Sequence, residues 1–255
     1  MDIKVKGQVT IWIIWALILV GVIVLFLFLQ QEITTEVSGS GTEVGSFIGR
    51  CMEPSVREAE DIMLPRGGLL EKQNTVLFNF QEVEYLCVNM GFYEPCINQH
   101  PLLIREMEDE LKEYLKPRVD ICFNELKEYI EDRGEKFTFS QDYDFEVSVV
   151  PEKIVLDINR NTRYITKTGD ENALEEYRAE FPSGAHGLAT VALEIAAQEA
   201  TYCYFESTGY SLYYPRYKIS RHQLSYPVKI YTINDTMTNE YMMIAIRSCA
   251  MPAGV

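Results

Sequence analysis

Residues 9–29 read VTIWIIWALILVGVIVLFLFL, with no charged side chain and with Val, Ile, Leu or Phe at sixteen of twenty-one positions. At about 1.5 Å rise per residue, a helix of that length reaches about 31 Å, enough to cross a hydrocarbon core of about 30 Å. The stretch therefore predicts a transmembrane helix whose partner is membrane lipid. The apolar run exceeds the roughly 7 to 15 residues of a cleaved signal, and no small-x-small site follows Leu29, so it is expected to stay as a signal anchor. Lys4 and Lys6 precede it, whereas Gln30, Gln31 and Glu32 follow it and no further base occurs before Arg50. That asymmetry puts residues 1–8 in the cytoplasm and the rest of this single-pass protein outside the cell membrane.

Working outward, residues 30–45 (QQEITTEVSGSGTEVG) are rich in Gly, Ser and short polar side chains and read as a flexible linker. Residues 46–255 are then an extracellular domain long enough for one sizeable core. With residues 1–29 set aside, 21 basic residues face 37 acidic ones, a net charge of −16. Such a surface lacks the Lys and Arg clusters that nucleic acid or anionic lipid would require, so no nucleic-acid partner is expected.

All six cysteines, Cys51, Cys87, Cys96, Cys122, Cys203 and Cys249, lie beyond the span, and none forms a C-x-x-C pair. An even number outside the reducing cytosol points to disulfide bonds rather than zinc. Six cysteines allow fifteen pairings. The placements favour Cys51 with Cys122, each on the apolar stripe of a helix. Cys87 and Cys96 flank a short Gly- and Pro-bearing loop, and Cys203 and Cys249 follow a helix and the last strand.

The amino terminus, MDIKVKG followed by QVTIWIIW, carries a resemblance. Lys6, Gly7 and Gln8 before an apolar helix look like the class III signal of archaeal type IV pilin-like proteins, in which a peptidase cuts after the Gly. The phrase KGQVTI also resembles the start of uncharacterised single-span surface proteins of small-genome archaea. The resemblance implies Gly7-Gln8 as a processing site and a subunit able to self-associate in a filament. One position departs from it: the fifth residue after Gly7 is Trp12, where many such pilins carry a Glu that helps subunits dock.

Periodicity then predicts an α+β domain. Phe47, Ile48, Cys51, Val56, Ala59, Ile62 and Met63 recur at helical spacing within 46–64. Val76, Phe78 and Phe80 alternate, as do Val83, Tyr85 and Cys87, which predicts a hairpin or two short strands. A long helix opens at Pro101 and ends at Gly134, with Pro117 expected to kink or split it. Its acids Glu106, Glu108, Asp109, Glu110 and Glu113 read as a solvated face. Phe145, Val147 and Val149 alternate, and Ile154, Leu156 and Ile158 alternate back, predicting an antiparallel hairpin with a third strand over 164–168 and an edge strand over 177–181. Ser183 caps a helix over 185–202, and strands at 228–233 and 241–246 close the domain. Helices and strands do not alternate as a parallel sheet requires.

Chemistry-bearing motifs are sparse. Asp142, Asp144 and Glu146 share a strand face but lack the DxDxDG calcium loop, and no metal or cofactor site is expected. His186 lies near Ser183 without a G-x-S-x-G elbow, and His100 and His222 are far from partners along the chain, with no H-E-x-x-H. Asn234-Asp235-Thr236 is a glycosylation sequon, read as a turn between the last strands. Tyr210, Tyr213, Tyr214 and Tyr217 lie in a tyrosine-dense stretch and are the candidate surface for an external protein or glycan partner. These readings lead to a membrane-anchored cell-surface protein with an interaction or structural domain and no catalysis. A pilin-like filament subunit is the first alternative and an envelope enzyme the second.

Overall fold

The computed structural model describes residues 43–249 together with Trp15, Leu19 and Gly21, which are helical. Apart from those three, the stretch 9–29, Gly7-Gln8, Trp12 and the linker up to residue 42 lie outside the described residues. Among the described residues no helix is long and apolar enough to cross a membrane. The chain divides into two units, Met1–Glu36 and Val37–Val255, and the elements below belong to the second.

That unit is an α+β domain with three disulfides, two sheets and four α-helices. Helix α1, Glu43–Met63, begins three residues earlier than expected, so Glu43, Val44 and Gly45 belong to it rather than to a linker. Ile48, Met52, Val56, Ala59 and Met63, at steps of three and four, are its fully buried stripe. A 3-10 turn, Leu64–Arg66, ends it. Gly67 there has φ +98°, and a Cβ would press on Glu84 at 2.9 Å, so the position requires glycine.

Strands β1, Thr75–Phe78, and β2, Gln81–Asn89, form a tight hairpin. Its two turn residues are Asn79 and Phe80, both at positive φ, and Phe80 is fully exposed rather than part of the alternation expected of it. Two positive-φ residues in a two-residue loop give the twist that flanking strands need, which explains why the turn overrides the apolar side chain. Strand β3, Cys96–Asn98, returns to pair with the end of β2.

Helix α2, Leu103–Asp132, runs unbroken through Pro117, contrary to the split expected there. Pro117 is on the exposed side, as is Pro54 in α1, so the carbonyl that each ring deprives of a partner can meet water. The stripe Leu103, Met107, Leu111, Leu115, Val119, Cys122, Leu126 and Ile130 is buried.

Four antiparallel strands follow: β4, Lys136–Phe139, β5, Asp144–Val150, β6, Lys153–Ile165, and β7, Glu171–Pro182. The third strand expected over 164–168 does not exist separately. Strand β6 shifts register between Asn159 and Thr162 and carries on through Ile165, pairing β5 with its first half and β4 with its second. Strand β7 pairs β6 along its length. Phe145, Ile158 and Tyr177 stand side by side across the sheet, as do Val147, Leu156 and Ala179, and Val149, Ile154 and Phe181. All nine are buried, so the alternation read from the sequence is the inner face of this sheet.

Helix α3, Ala185–Tyr202, buries Ala185, Leu188, Ala189, Val191, Ala192, Ile195 and Ala196. Its small residues let it touch β2, β3, β9 and β10 of one sheet while also meeting α2, β5 and β6. After the short α4, Ser207–Tyr213, strands β8, Tyr217–Ser225, β9, Val228–Asp235, and β10, Tyr241–Arg247, complete the second sheet. Its order is β1-β2-β10-β9-β8, with β3 also on β2. Strand β10 runs parallel to β2, so the closing strands are not a separate hairpin but share one sheet with the first strands. One core connects both sheets through the helices, and a smaller cluster, Val83, Tyr85, Val88, Val228, Ile230, Met243 and Ala245, lies on the opposite face of this sheet under Val76 and Phe78.

Candidate functional site

The chain from β7 to α3 turns through Ser183 and Gly184, and the α3 amino terminus gathers carboxylates. The Ala185 amide donates to Ser183 Oγ at 3.0 Å, and the Gly184 amide donates to Glu240 Oε2 at 2.5 Å. Both bonds satisfy amides that a helix start leaves without intrahelical partners. A Cβ at residue 184 would meet Glu240 Oε2 at 2.6 Å, Thr238 Oγ1 at 2.8 Å and Asp235 Oδ2 at 3.0 Å. Only a residue without a side chain lets the β9–β10 turn approach this closely.

That turn is shaped by Asp235, whose Oδ1 accepts the Met237 amide at 2.9 Å. The Asp235 carboxylate is buried and holds Arg216, with Nη2 2.7 Å from Oδ2, while Arg216 Nη1 reaches Glu152 at 3.2 Å. Burial works to raise the pKa of Asp235, and the Arg216 hydrogen bonds, the Met237 amide and the Arg216 charge more than reverse it, leaving it below the usual carboxylate range.

Opposite stands the end of α1. Arg57, Glu60, Asp61, Leu64 and Pro65 face Thr238, Asn239, Glu240 and Tyr241 across a cleft of about 500 Å³. Glu60 is only 5% exposed, and its Oε1 receives no hydrogen bond. Burial pushes its pKa up to about 7; the Ser183 hydroxyl, bonded to the carboxyl, opposes this, the Glu240 charge adds to it, and Arg57 and Asp61 contribute less, with opposite signs. Glu240 is raised as well, first by burial and against the pull of the Gly184 amide and Thr238 hydroxyl. Among the lining residues Arg57 is the only base, and it pairs with Glu53 at 2.8 Å. Glu60, raised to about 7, can exchange a proton near neutral pH, and the two carboxyls can accept a donor from outside. Sequence reasoning missed this cleft. Its one signal was Glu60 itself, four residues after Val56 and three before Met63, beside the buried stripe.

The residues singled out by sequence are elsewhere. Cys51 pairs with Cys122, joining α1 to α2 at a Cα separation of 5.8 Å. Cys87 pairs with Cys96 across β2 and β3 at 5.4 Å, and Cys203 with Cys249 at 5.5 Å, tying the end of α3 to the second residue after β10. Asn234 is exposed but lies within β9, one residue before its end, instead of occupying a turn, with Nδ2 3.4 Å from the Lys218 carbonyl. The tyrosines divide. Tyr213 is 86% and Tyr214 54% exposed, whereas Tyr210 packs on Phe205 at 5.4 Å and Tyr217 packs against Gly187. Tyr210 and Tyr217 are thus part of the framework holding α4 and β8, and only Tyr213 and Tyr214 offer surface.

His100, set apart along the chain, is buried between two acids: Nδ1 lies 2.6 Å from Glu106 Oε2, and Nε2 3.7 Å from Glu84 Oε1. Glu84 also accepts the Asn74 amide at 2.6 Å, so this cluster ties the loop before β1 to the start of α2. His222 is exposed on β8 against the Phe78 ring, and His186 is half-buried in the first turn of α3. The α2 acids are not simply a solvated face. Glu108 accepts the Val149 amide at 2.9 Å, Glu110 accepts the amides of Leu70 and Glu71, and Lys112 reaches Glu146 at 2.8 Å rather than Glu108. Asp142, Asp144 and Glu146 are exposed, and no group of three or more metal-ligating side chains is placed to hold an ion among the described residues. Compared with known proteins, the chain matches no family model, no curated protein and no solved structure.

Proposed function

We propose that the chain is a membrane-anchored cell-surface protein, held by residues 9–29 and presenting its α+β domain outside the cell as an interaction or structural module. The observation that carries this reading is the cysteine chemistry: all six cysteines are paired, and no free thiol remains. Disulfide frameworks of this kind form and persist in oxidising compartments, and the lysines before the apolar stretch orient the domain toward one. The acidic composition keeps such a domain in solution beside the bilayer. Exposed Tyr213 and Tyr214, with Leu212 at 79% exposure, give it an amphipathic contact area for a protein or glycan partner. The exposed Asn234 is the candidate glycan acceptor.

Membrane fractionation with mass spectrometry of the terminal peptide tests the anchor. Retention through alkaline extraction with an uncleaved terminus near Asp2 supports it. A terminus at Gln8 on protein recovered as filaments replaces it with the pilin-like subunit, in which the apolar helix packs against its own copies.

A further inference from the structure

We infer that the cleft between the end of α1 and the β9–β10 turn binds an organic cation, an ammonium or guanidinium group carried on an alkyl stem. The inference goes beyond anchorage and stands on the described domain alone.

Three features of the cleft define this ligand. The first is uncompensated negative charge: Asp235 is matched by Arg216, and Arg57 by Glu53, but Glu60 and Glu240 face the same space with no base of their own. The second is a waiting acceptor. Glu60 is 5% exposed, and its Oε1, which receives no hydrogen bond from the protein, belongs to a residue that lines the cleft. A buried acceptor without a donor costs free energy that an N–H from a ligand would recover. The third is shape. About 500 Å³ is far more than one ion needs, and Leu64, Pro65 and the Tyr241 ring supply apolar wall for a stem.

A bare metal ion fits less well. Glu240 Oε2 is engaged by the Gly184 amide and both oxygens of Asp235 by Arg216, and no ligating group of three or more is assembled among the described residues. A delocalised or alkyl-borne cation needs one or two carboxylate oxygens and tolerates that arrangement.

Binding is coupled to protons. The cation favours the ionised form of Glu60, whose carboxyl otherwise titrates at about 7. Charged groups facing it are Arg57 and Asp61 on α1 and Glu240 in the turn, with the Asp235–Arg216 pair adjoining Glu240. Affinity therefore falls about tenfold per pH unit below 7 and levels off above it, with one proton released on binding at low pH.

The test is calorimetric titration of the full chain in lipid nanodiscs with three probes: spermidine, a capped Gly-Arg-Gly peptide, and calcium. Spermidine or the peptide should bind at pH 7.5, with an affinity about eightfold weaker at pH 6. Binding by the peptide alone assigns the site to a partner's side chain, and binding by spermidine assigns it to a free amine. Glu60→Gln keeps the side-chain shape and should reduce affinity at least tenfold at pH 7.5. Glu240→Gln should weaken binding too, and serves if the first variant does not fold, while Tyr213→Ala should bind as the parent does. No binding of either organic probe, binding undiminished in the variants as a diffuse attraction to an acidic surface would give, or binding of calcium alone overturns the inference.

Discussion

Lys229 Nζ lies 2.8 and 2.7 Å from the two carboxylate oxygens of Glu199, an ion pair shut away from solvent where α3 crosses β9. The ammonium also donates to the Cys203 carbonyl at 2.8 Å and to Ser248 Oγ at 3.2 Å, and the Tyr231 hydroxyl donates to Glu199. Every partner belongs to the seam that the Cys203–Cys249 bridge closes. Removing one charge strands the other, so Lys229→Met should destabilise the domain by about 3–5 kcal/mol in denaturant unfolding. Removing both with Glu199→Leu should cost less than the sum of the single changes, which a double-mutant cycle measures directly.

The bridges should rank by the chain they close. Separations of 71 and 46 residues for Cys51–Cys122 and Cys203–Cys249, against 9 for Cys87–Cys96, give about 4 kcal/mol for each long loop and about 2.5 kcal/mol for the short one in the chain-entropy model. Residues 43–255, expressed in an oxidising compartment, should be soluble and folded. Paired Cys→Ser variants of that fragment should lose stability in this order, with the 51/122 variant lowest in melting temperature. Equal losses for the long and short loops would show that native-state contacts, not loop closure, set the effect.

Stability should also carry the signature of Glu60. Its carboxyl is raised from 4.5 to about 7, so the folded chain holds a proton that the unfolded chain has released. The contribution is fully present below pH 4.5 and is lost as pH rises through 7, a total of about 3 kcal/mol. Glu60→Gln imitates the protonated form. Its stability should match that of the parent near pH 4 and exceed it at pH 8 by up to that amount. Unfolding curves of the two proteins that run parallel across this range would contradict the placement of the carboxyl.

Tyr210 and Tyr213 are three residues apart and should behave differently. Tyr213→Ala should change stability by less than about 0.5 kcal/mol, as expected of an exposed side chain. Tyr210→Ala removes a ring packed on Phe205 at 5.4 Å and on Tyr214 at 4.8 Å and should cost measurably more. Loss of an external partner with Tyr213→Ala at unchanged melting temperature would then assign that surface to recognition.

How much of this was readable from residues depends on whether an element has one wet face. Helix α3 and the β5–β6 hairpin could be placed because their apolar residues keep one period and one buried side. Strand β8 was invisible: from Ser220 to Ser225 every side chain is exposed, so no alternation marks it. Burial of charge hid the rest. Arg160 is 2% exposed, held by Asp120 at 3.1 Å and by the rings of Phe123, Phe139 and Tyr143 at 4.4 to 4.6 Å, yet its sequence NRNTR reads as a polar turn. The cleft joins α1 to the β9–β10 turn, about 180 residues further along the chain. Only the parallel pairing of β10 with β2 folds those ends onto one another, and no local pattern announces such a pairing.

Topology in intact cells tests the central claim most directly. A membrane-impermeant amine reagent applied to cells carrying the native protein should modify exposed Lys72 and Lys167 at once and leave Lys4 and Lys6 unmodified until the membrane is opened. Labelling of Lys4 and Lys6 with the domain protected, or no labelling of the domain until lysis, would contradict an anchored domain outside the cell.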